Sequence, residues 1–170
     1  VFFLGSTCYA GGMIVVVSRS AAQTKKTAAV FAKELLKANR NFKKGAAVVA
    51  LEGNLGSGKT TFVQGFARAL GVRESVLSPT FVLMKIYPLQ KNTKHKTQDT
   101  KFRYLIHIDC YRLNSPKYII HLGFKDLVKD QDAIILIEWA DRIKKVIPKN
   151  ALWFKFSHGK SPLMRTISMR

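Results

Sequence analysis

Eight consecutive residues, Gly53-Asn54-Leu55-Gly56-Ser57-Gly58-Lys59-Thr60, carry the plainest chemistry in the chain, filling every fixed position of the pattern G-x-x-x-x-G-K-[ST]. Glycines at this spacing let successive backbone N–H groups turn inward around phosphate oxygens, and the helix that follows presents its positive end to the same anion. The Lys59 ammonium is placed to span β- and γ-phosphates, and the Thr60 hydroxyl to ligate the Mg²⁺ that bridges them. As a residue that works on phosphate rather than in the core, Lys59 is expected to be exposed. The stretch reads as a nucleotide site.

Two carboxylates stand where such a site needs them. Ala133-Ile134-Ile135-Leu136-Ile137-Glu138-Trp139 is an unbroken apolar run ending in an acid, the pattern of a strand buried on both faces whose C-terminal end delivers Glu138 toward the nucleotide's Mg²⁺. Asp109 lies in a second β-favouring run, Arg103 to Arg112, on the same face as His107. A carboxylate closing an apolar strand needs a partner. For Asp109 that partner is either a metal or water, or an ion pair with Arg112; His107 alone reads as a satisfied structural histidine. Pro79 biases Ser78 toward extended backbone, so Ser78-Pro79-Thr80-Phe81 either presents Thr80 from a defined loop or is a plain turn.

These residues require a particular frame. Ala46 to Leu51 suits a buried strand leading into the loop, and Thr61 to Leu70, with Phe62, Phe66, Ala69 and Leu70 at helical spacing, suits the helix leaving it, stopped by Gly71. Upstream, Met13 to Val17 reads as a strand, and Ser20 as the cap of a helix with Ala28, Phe31, Ala32, Leu35 and Leu36 on its apolar face, ending near Asn39. Downstream, Phe81 to Tyr87 reads as a strand, Phe124 to Lys129 as a short helix, and Leu152–Phe156 with Met164–Met169 as a terminal hairpin around Gly159 and Pro162. The expected fold is α/β: a single P-loop NTPase domain over residues 13–170, with a mixed central sheet flanked by helices and a C-terminal β-hairpin. Met13 reads as a candidate start, which would leave residues 1–12 as an extension outside the fold.

Composition narrows the class. The 170 residues are 47% hydrophobic, enough for one sizeable core. Cys8 and Cys110 form neither a C-x-x-C pair nor a disulfide framework, which fits a reducing compartment. The apolar N-terminus lacks a basic flank and is broken by glycines, so neither a signal peptide nor a membrane span is expected. Charge is the unusual feature: 29 Lys and Arg against 10 Asp and Glu leave +19, which either attracts a polyanion such as nucleic acid or is basicity scattered over solvated faces. Gln90 to Lys101, polar and basic, reads as a hairpin tip or an RNA-directed arm.

With G-x-L-G-x-G-K-T-T at 53–61, S-P-T-F at 78–81, H-x-D-x-Y-R-L at 107–113 and I-E-W at 137–139 in that order, the chain resembles the bacterial TsaE (YjeE) family from about Ser20 to Arg165. The resemblance implies a small cytoplasmic ATPase that uses ATP and Mg²⁺ and supports the TsaD–TsaB machinery. That machinery installs threonylcarbamoyl on adenosine 37 of tRNAs reading ANN codons, with tRNA reached through the complex. It implies nucleotide contacts from Thr24, Gly53, Asn54, Leu55, Gly56, Ser57, Gly58, Lys59, Thr60, Thr61, Thr80 and Trp139. Thr60 and Glu138 would ligate the metal, Asp109 would act near the metal or the attacking water, and Lys59, Asp109 and Glu138 would be the catalytic set. Asn54 stands where the family often has an acid, and the long basic segment at 90–101 is not a family trait. The competing readings are a small P-loop kinase, which would need an Arg-rich lid that is not seen between Thr61 and Ile137, and a basic nucleic-acid-binding module with a vestigial ATP site. Nothing in the sequence selects an oligomeric state.

Overall fold

The computed structural model describes residues 7–10, 13–38, 44–89 and 101–169. The basic segment at 90–101 therefore lies, except for Lys101, outside the described residues. At the centre is β3 (Ala47–Gly53), flanked in parallel by β6 (Ala133–Glu138) and β7 (Leu152–His158). Strand β5 (Tyr104–Asp109) adds in parallel to β6, and β4 (Met84–Pro88) closes that edge antiparallel. On the other side β8 (Arg165–Met169) folds back on β7 as the expected hairpin, followed by β2 (Met13–Ser18) and β1 (Thr7–Ala10), all antiparallel. The sheet is thus mixed, in the order β1-β2-β8-β7-β3-β6-β5-β4.

The central strands bury both faces, so their side chains divide by parity. Ala47, Val49 and Leu51 of β3 join Ile134 and Leu136 of β6 in a core under α1 (Ala21–Lys37) and α2 (Lys59–Ala69). Val48 and Ala50 join Ile106, Ile108, Ile135 and Ile137 in a second core with α3 (Pro116–His121), α4 (Phe124–Leu127) and the 3₁₀ segment Ala140–Val146. The first core is aromatic: Phe62 of α2 meets the Phe156 ring edge-on at 5.4 Å, and Phe31 of α1 meets Phe154 at 4.8 Å. Truncating the fully buried Phe62 would cost about 3–5 kcal/mol. This packing fixes α2, and with it the phosphate loop, against the hairpin.

The helices start and stop for local reasons. Ser20, in extended backbone, accepts from the Gln23 N–H at 3.1 Å and caps α1, and Gly71 follows α2 at φ 92°. Two expectations need correction. The strand expected from Phe81 begins only at Met84, because the N–H groups of Val82 and Leu83 both turn back to the Pro79 carbonyl and Leu83 takes a left-handed φ of 65°. The extension expected outside the fold contributes β1, which pairs with β2 from Thr7↔Val16 to Ala10↔Met13. Among the described residues no helix is long and apolar enough to cross a membrane.

Candidate active site

The C-terminal ends of β3, β5 and β6 and the start of α2 surround a cleft of about 390 Å³, where an open α/β sheet places ligands. Gly53 ends β3 at φ 144°, and a Cβ there would stand 2.4 Å from the Phe156 carbonyl oxygen, so only glycine lets the loop leave the sheet at this point. Gly58, at φ 97°, turns the chain into α2 without a side-chain cap. The amides of the first helical turn therefore face the cleft with no side chain accepting from them. The Ser57 hydroxyl in the same loop is buried and, among the described residues, without a partner. Orphaned donors around a left-handed glycine turn are the chemistry that a phosphate satisfies.

Lys59 corrects an expectation: it is 4% exposed, not free in the loop. Its ammonium donates to the carbonyls of Gly53 at 2.7 Å and Asn54 at 2.9 Å and lies 3.9 Å from the centre of the Trp139 ring. Trp139 reaches over it because its own backbone is left-handed, φ 57° and ψ 40°, a conformation that costs a non-glycine residue about 1–2 kcal/mol. Burial pushes the Lys59 pKa down, opposed by the negative charges of Glu138, Asp109 and Asp141. The Tyr111 ring packs 5.0 Å from Trp139, and both line the cleft.

Opposite the loop, Glu138 is 2% exposed and uses both oxygens. Thr60 Oγ1 donates to Oε2 at 2.8 Å, and His107 Nε2 is 2.9 Å from Oε1. An ionised carboxylate only accepts, so Nε2 is the protonated nitrogen, an assignment made from the hydrogen-bond network. Register explains the meeting: His107 and Leu136 are partners on β5 and β6, and Asp109 pairs directly with Glu138. His107 is thus a buried histidine paired only through Nε2, its Nδ1 having no partner among the described residues, and the group it pairs with is the candidate metal ligand.

Asp109 is 3% exposed and forms no ion pair with Arg112 among the described residues. The Arg112 guanidinium lies over the Phe81 ring at 4.6 Å. The carboxylate instead gathers the loop before β4. Ser78 Oγ and Thr80 Oγ1 both donate to Oδ2, Thr80 at 2.6 Å, and the Tyr111 N–H donates to Oδ1 at 2.8 Å. Ser78-Pro79-Thr80-Phe81 is therefore a loop tied to the site, not a plain turn.

Of the residues read from the sequence, Leu55 to Thr61, Thr80, Asp109, Glu138 and Trp139 line one cleft, while Gly53 and Asn54 meet it through the carbonyls that hold Lys59. Thr24 does not line it; its buried hydroxyl is 2.8 Å from that of Ser18 at the α1 entry. Sequence reasoning missed His158 and Arg165. His158 Nε2 donates to the Leu55 carbonyl at 3.2 Å, and Arg165 Nε donates to the Gly56 carbonyl at 3.1 Å while its Nη1 holds Pro162 and Met164. The terminal hairpin thus braces the outer side of the phosphate loop, and only the paired register of His158 and Arg165 could have signalled it.

The donor set fits a hard cation. Thr60, Glu138 and Asp109 offer only oxygens, as Mg²⁺ prefers. Among the described residues no group of three or more His, Cys, Asp or Glu could enclose a metal by itself. A metal here would need ligands from a nucleotide as well, which is how Mg²⁺ commonly binds.

The chain is similar to known proteins over most of its length. The family model for threonylcarbamoyl adenosine biosynthesis protein TsaE matches residues 18–167. The Treponema pallidum tRNA threonylcarbamoyladenosine biosynthesis protein TsaE is 32% identical over 78% of this chain and 83% of its own length. Its Bacillus subtilis counterpart is 35% identical over 71% and 67%. The crystal structure of Bacillus subtilis YdiB superposes with a TM-score of 0.65 at 27% identity, covering 97% of this chain and 86% of that one.

Proposed function

Because this chain belongs to the TsaE family of tRNA threonylcarbamoyladenosine biosynthesis, we propose that it binds and hydrolyses ATP with Mg²⁺ in support of a TsaD–TsaB complex in the cytoplasm. The observation that carries the reading is the 2.8 Å contact between Thr60 and Glu138, which sets a hydroxyl and a carboxylate side by side at the mouth of a phosphate loop. Thr60 and Glu138 would hold Mg²⁺, which would supply neutralisation of phosphate charge in the transition state.

The chain's own groups do the rest. The loop N–H groups and the Ser57 hydroxyl take phosphate oxygens, and Lys59 exchanges its carbonyl partners for the β- and γ-phosphates. His107 keeps one Glu138 oxygen oriented, and the other oxygen, with the Thr60 hydroxyl, would hold the metal. Asp109 holds Ser78 and Thr80 against the cleft, and its proposed role is to orient the attacking water. Trp139 and Tyr111 exclude solvent from the Lys59 side.

The test is release of inorganic phosphate by the purified chain, with and without its cognate TsaD and TsaB. Phosphate release that rises when the partners are added is the expected result. Transfer of the γ-phosphate to a small-molecule acceptor, or the absence of any turnover with the partners present, overturns the reading.

A further inference from the structure

A second groove, of about 500 Å³, runs between α1 and α2 and shares no lining residue with the nucleotide cleft. Lys25, Lys26 and Lys33 of α1 and Arg68 of α2 surround it, all exposed, together with Ala29, Gln64, Gly65 and Ala69. No acid lines it. Among the described residues none of these four cations forms an ion pair, although exposed lysines elsewhere do: Lys37 with Glu34, Lys85 with Glu74 and Lys129 with Asp126.

The three α1 lysines and Arg68 of α2 are brought together by one close approach. A Cβ on Gly65 would lie 2.5 Å from the Cα and the carbonyl oxygen of Lys25, so glycine alone allows α2 to press against α1 at that level. Along α1, Lys25, Ala29 and Lys33 follow one stripe, which sets the two lysines two turns and roughly 12 Å apart. Arg68 lies a similar ~12 Å beyond Thr60 on α2, well removed from the phosphate loop.

We propose that this groove binds the phosphate backbone of RNA. Uncompensated like charges repel one another, and a row of them is satisfied by an anion of matching length. A single phosphate would reach one or two of the four, and no buried polar side chain lines the groove to fix a small anion. A polyphosphate chain laid along it can meet several of the four at once. The commitment to RNA rather than another polyanion rests on the proposed role in tRNA modification, and it adds a direct contact to that role. It also gives a place to part of the +19 net charge.

The experiment is fluorescence-anisotropy binding of an unmodified tRNA transcript to the full chain, without nucleotide or partner proteins, from 50 to 200 mM salt. With the triple variant Lys25→Gln, Lys33→Gln, Arg68→Gln, the slope of log K against log salt should become shallower by about 2 to 3, at roughly 0.7–0.9 for each phosphate no longer neutralised. A control neutralising the exposed Lys117, Lys149 and Lys160 should change the slope by less than half as much. All six positions are exposed, so equal thermal midpoints confirm that the variants are folded. An unchanged slope in the triple variant, or an equal change in the control, overturns the proposal. So does polyglutamate that binds the groove more tightly than tRNA at equal charge, which would assign it to an acidic protein. Because ATP is absent, a failure of the hydrolysis reading leaves this result intact, and the reverse also holds.

Discussion

Thr60 Oγ1 lies 2.8 Å from Glu138 Oε2, joining residues 78 positions apart at the point where α2 begins and β6 ends. The contact depends on the parallel pairing of β3 with β6, which brings Leu51 opposite Glu138 just before the loop. Glu138→Gln should therefore keep the fold and nucleotide binding but lose Mg²⁺-dependent phosphate release by ~10²-fold or more. Phosphate release and nucleotide affinity measured on the same preparations check this. Equal turnover would reduce Glu138 to a packing and pairing residue.

His107 gives Glu138 its fixed orientation from a fully buried position. His107→Ala leaves Oε1 without its donor, and should cost about 1–3 kcal/mol of stability for the unsatisfied group alone. It should also raise the Mg²⁺ concentration needed for half-maximal turnover by roughly 10- to 100-fold. His107→Gln, which retains an N–H donor, should recover part of both effects. A folded His107→Ala variant with unaltered Mg²⁺ dependence would mean that the imidazole only fills the core.

Lys59 is held by two loop carbonyls and the Trp139 face before any phosphate arrives. Lys59→Met keeps the apolar stem and removes the charge, so nucleotide affinity should fall about 10- to 100-fold, the worth of charge-assisted hydrogen bonds. Without nucleotide the variant should be at least as stable as the parent, because burial disfavours the ammonium. Nucleotide titration and denaturant unfolding give the two numbers. Wild-type affinity in the variant would contradict the role.

Arg165 ties the terminal hairpin to the phosphate loop through the carbonyl of Gly56. Arg165→Ala should weaken nucleotide binding by ~3- to 10-fold while changing unfolding stability by no more than about 0.5 kcal/mol, since the side chain serves the loop rather than the core. Arg165→Lys should not restore affinity, because an ammonium on a flexible stem cannot hold Gly56, Pro162 and Met164 with one planar fork. Full rescue by lysine would show that only positive charge is needed there.

The sequence by itself determined the parts whose physics is local. The loop at 53–60 is legible because its glycines are needed at fixed offsets from Lys59 and Thr60, and β6 is legible because an apolar run of that length can only be buried. Ser20 and Gly71 mark helix ends through their own backbone preferences. The tertiary structure decided what depends on register and on neighbours from elsewhere in the chain. Lys59 is buried between the Gly53 and Asn54 carbonyls and a Trp139 ring carried on left-handed backbone, Asp109 meets Ser78 and Thr80 rather than Arg112, and His158 and Arg165 reach the loop because β7 lies beside β3. Local propensity sets which residues form a loop, a strand or a cap. Which side chains then meet is set by strand pairing between segments more than a hundred residues apart, and no short pattern in the sequence encodes that.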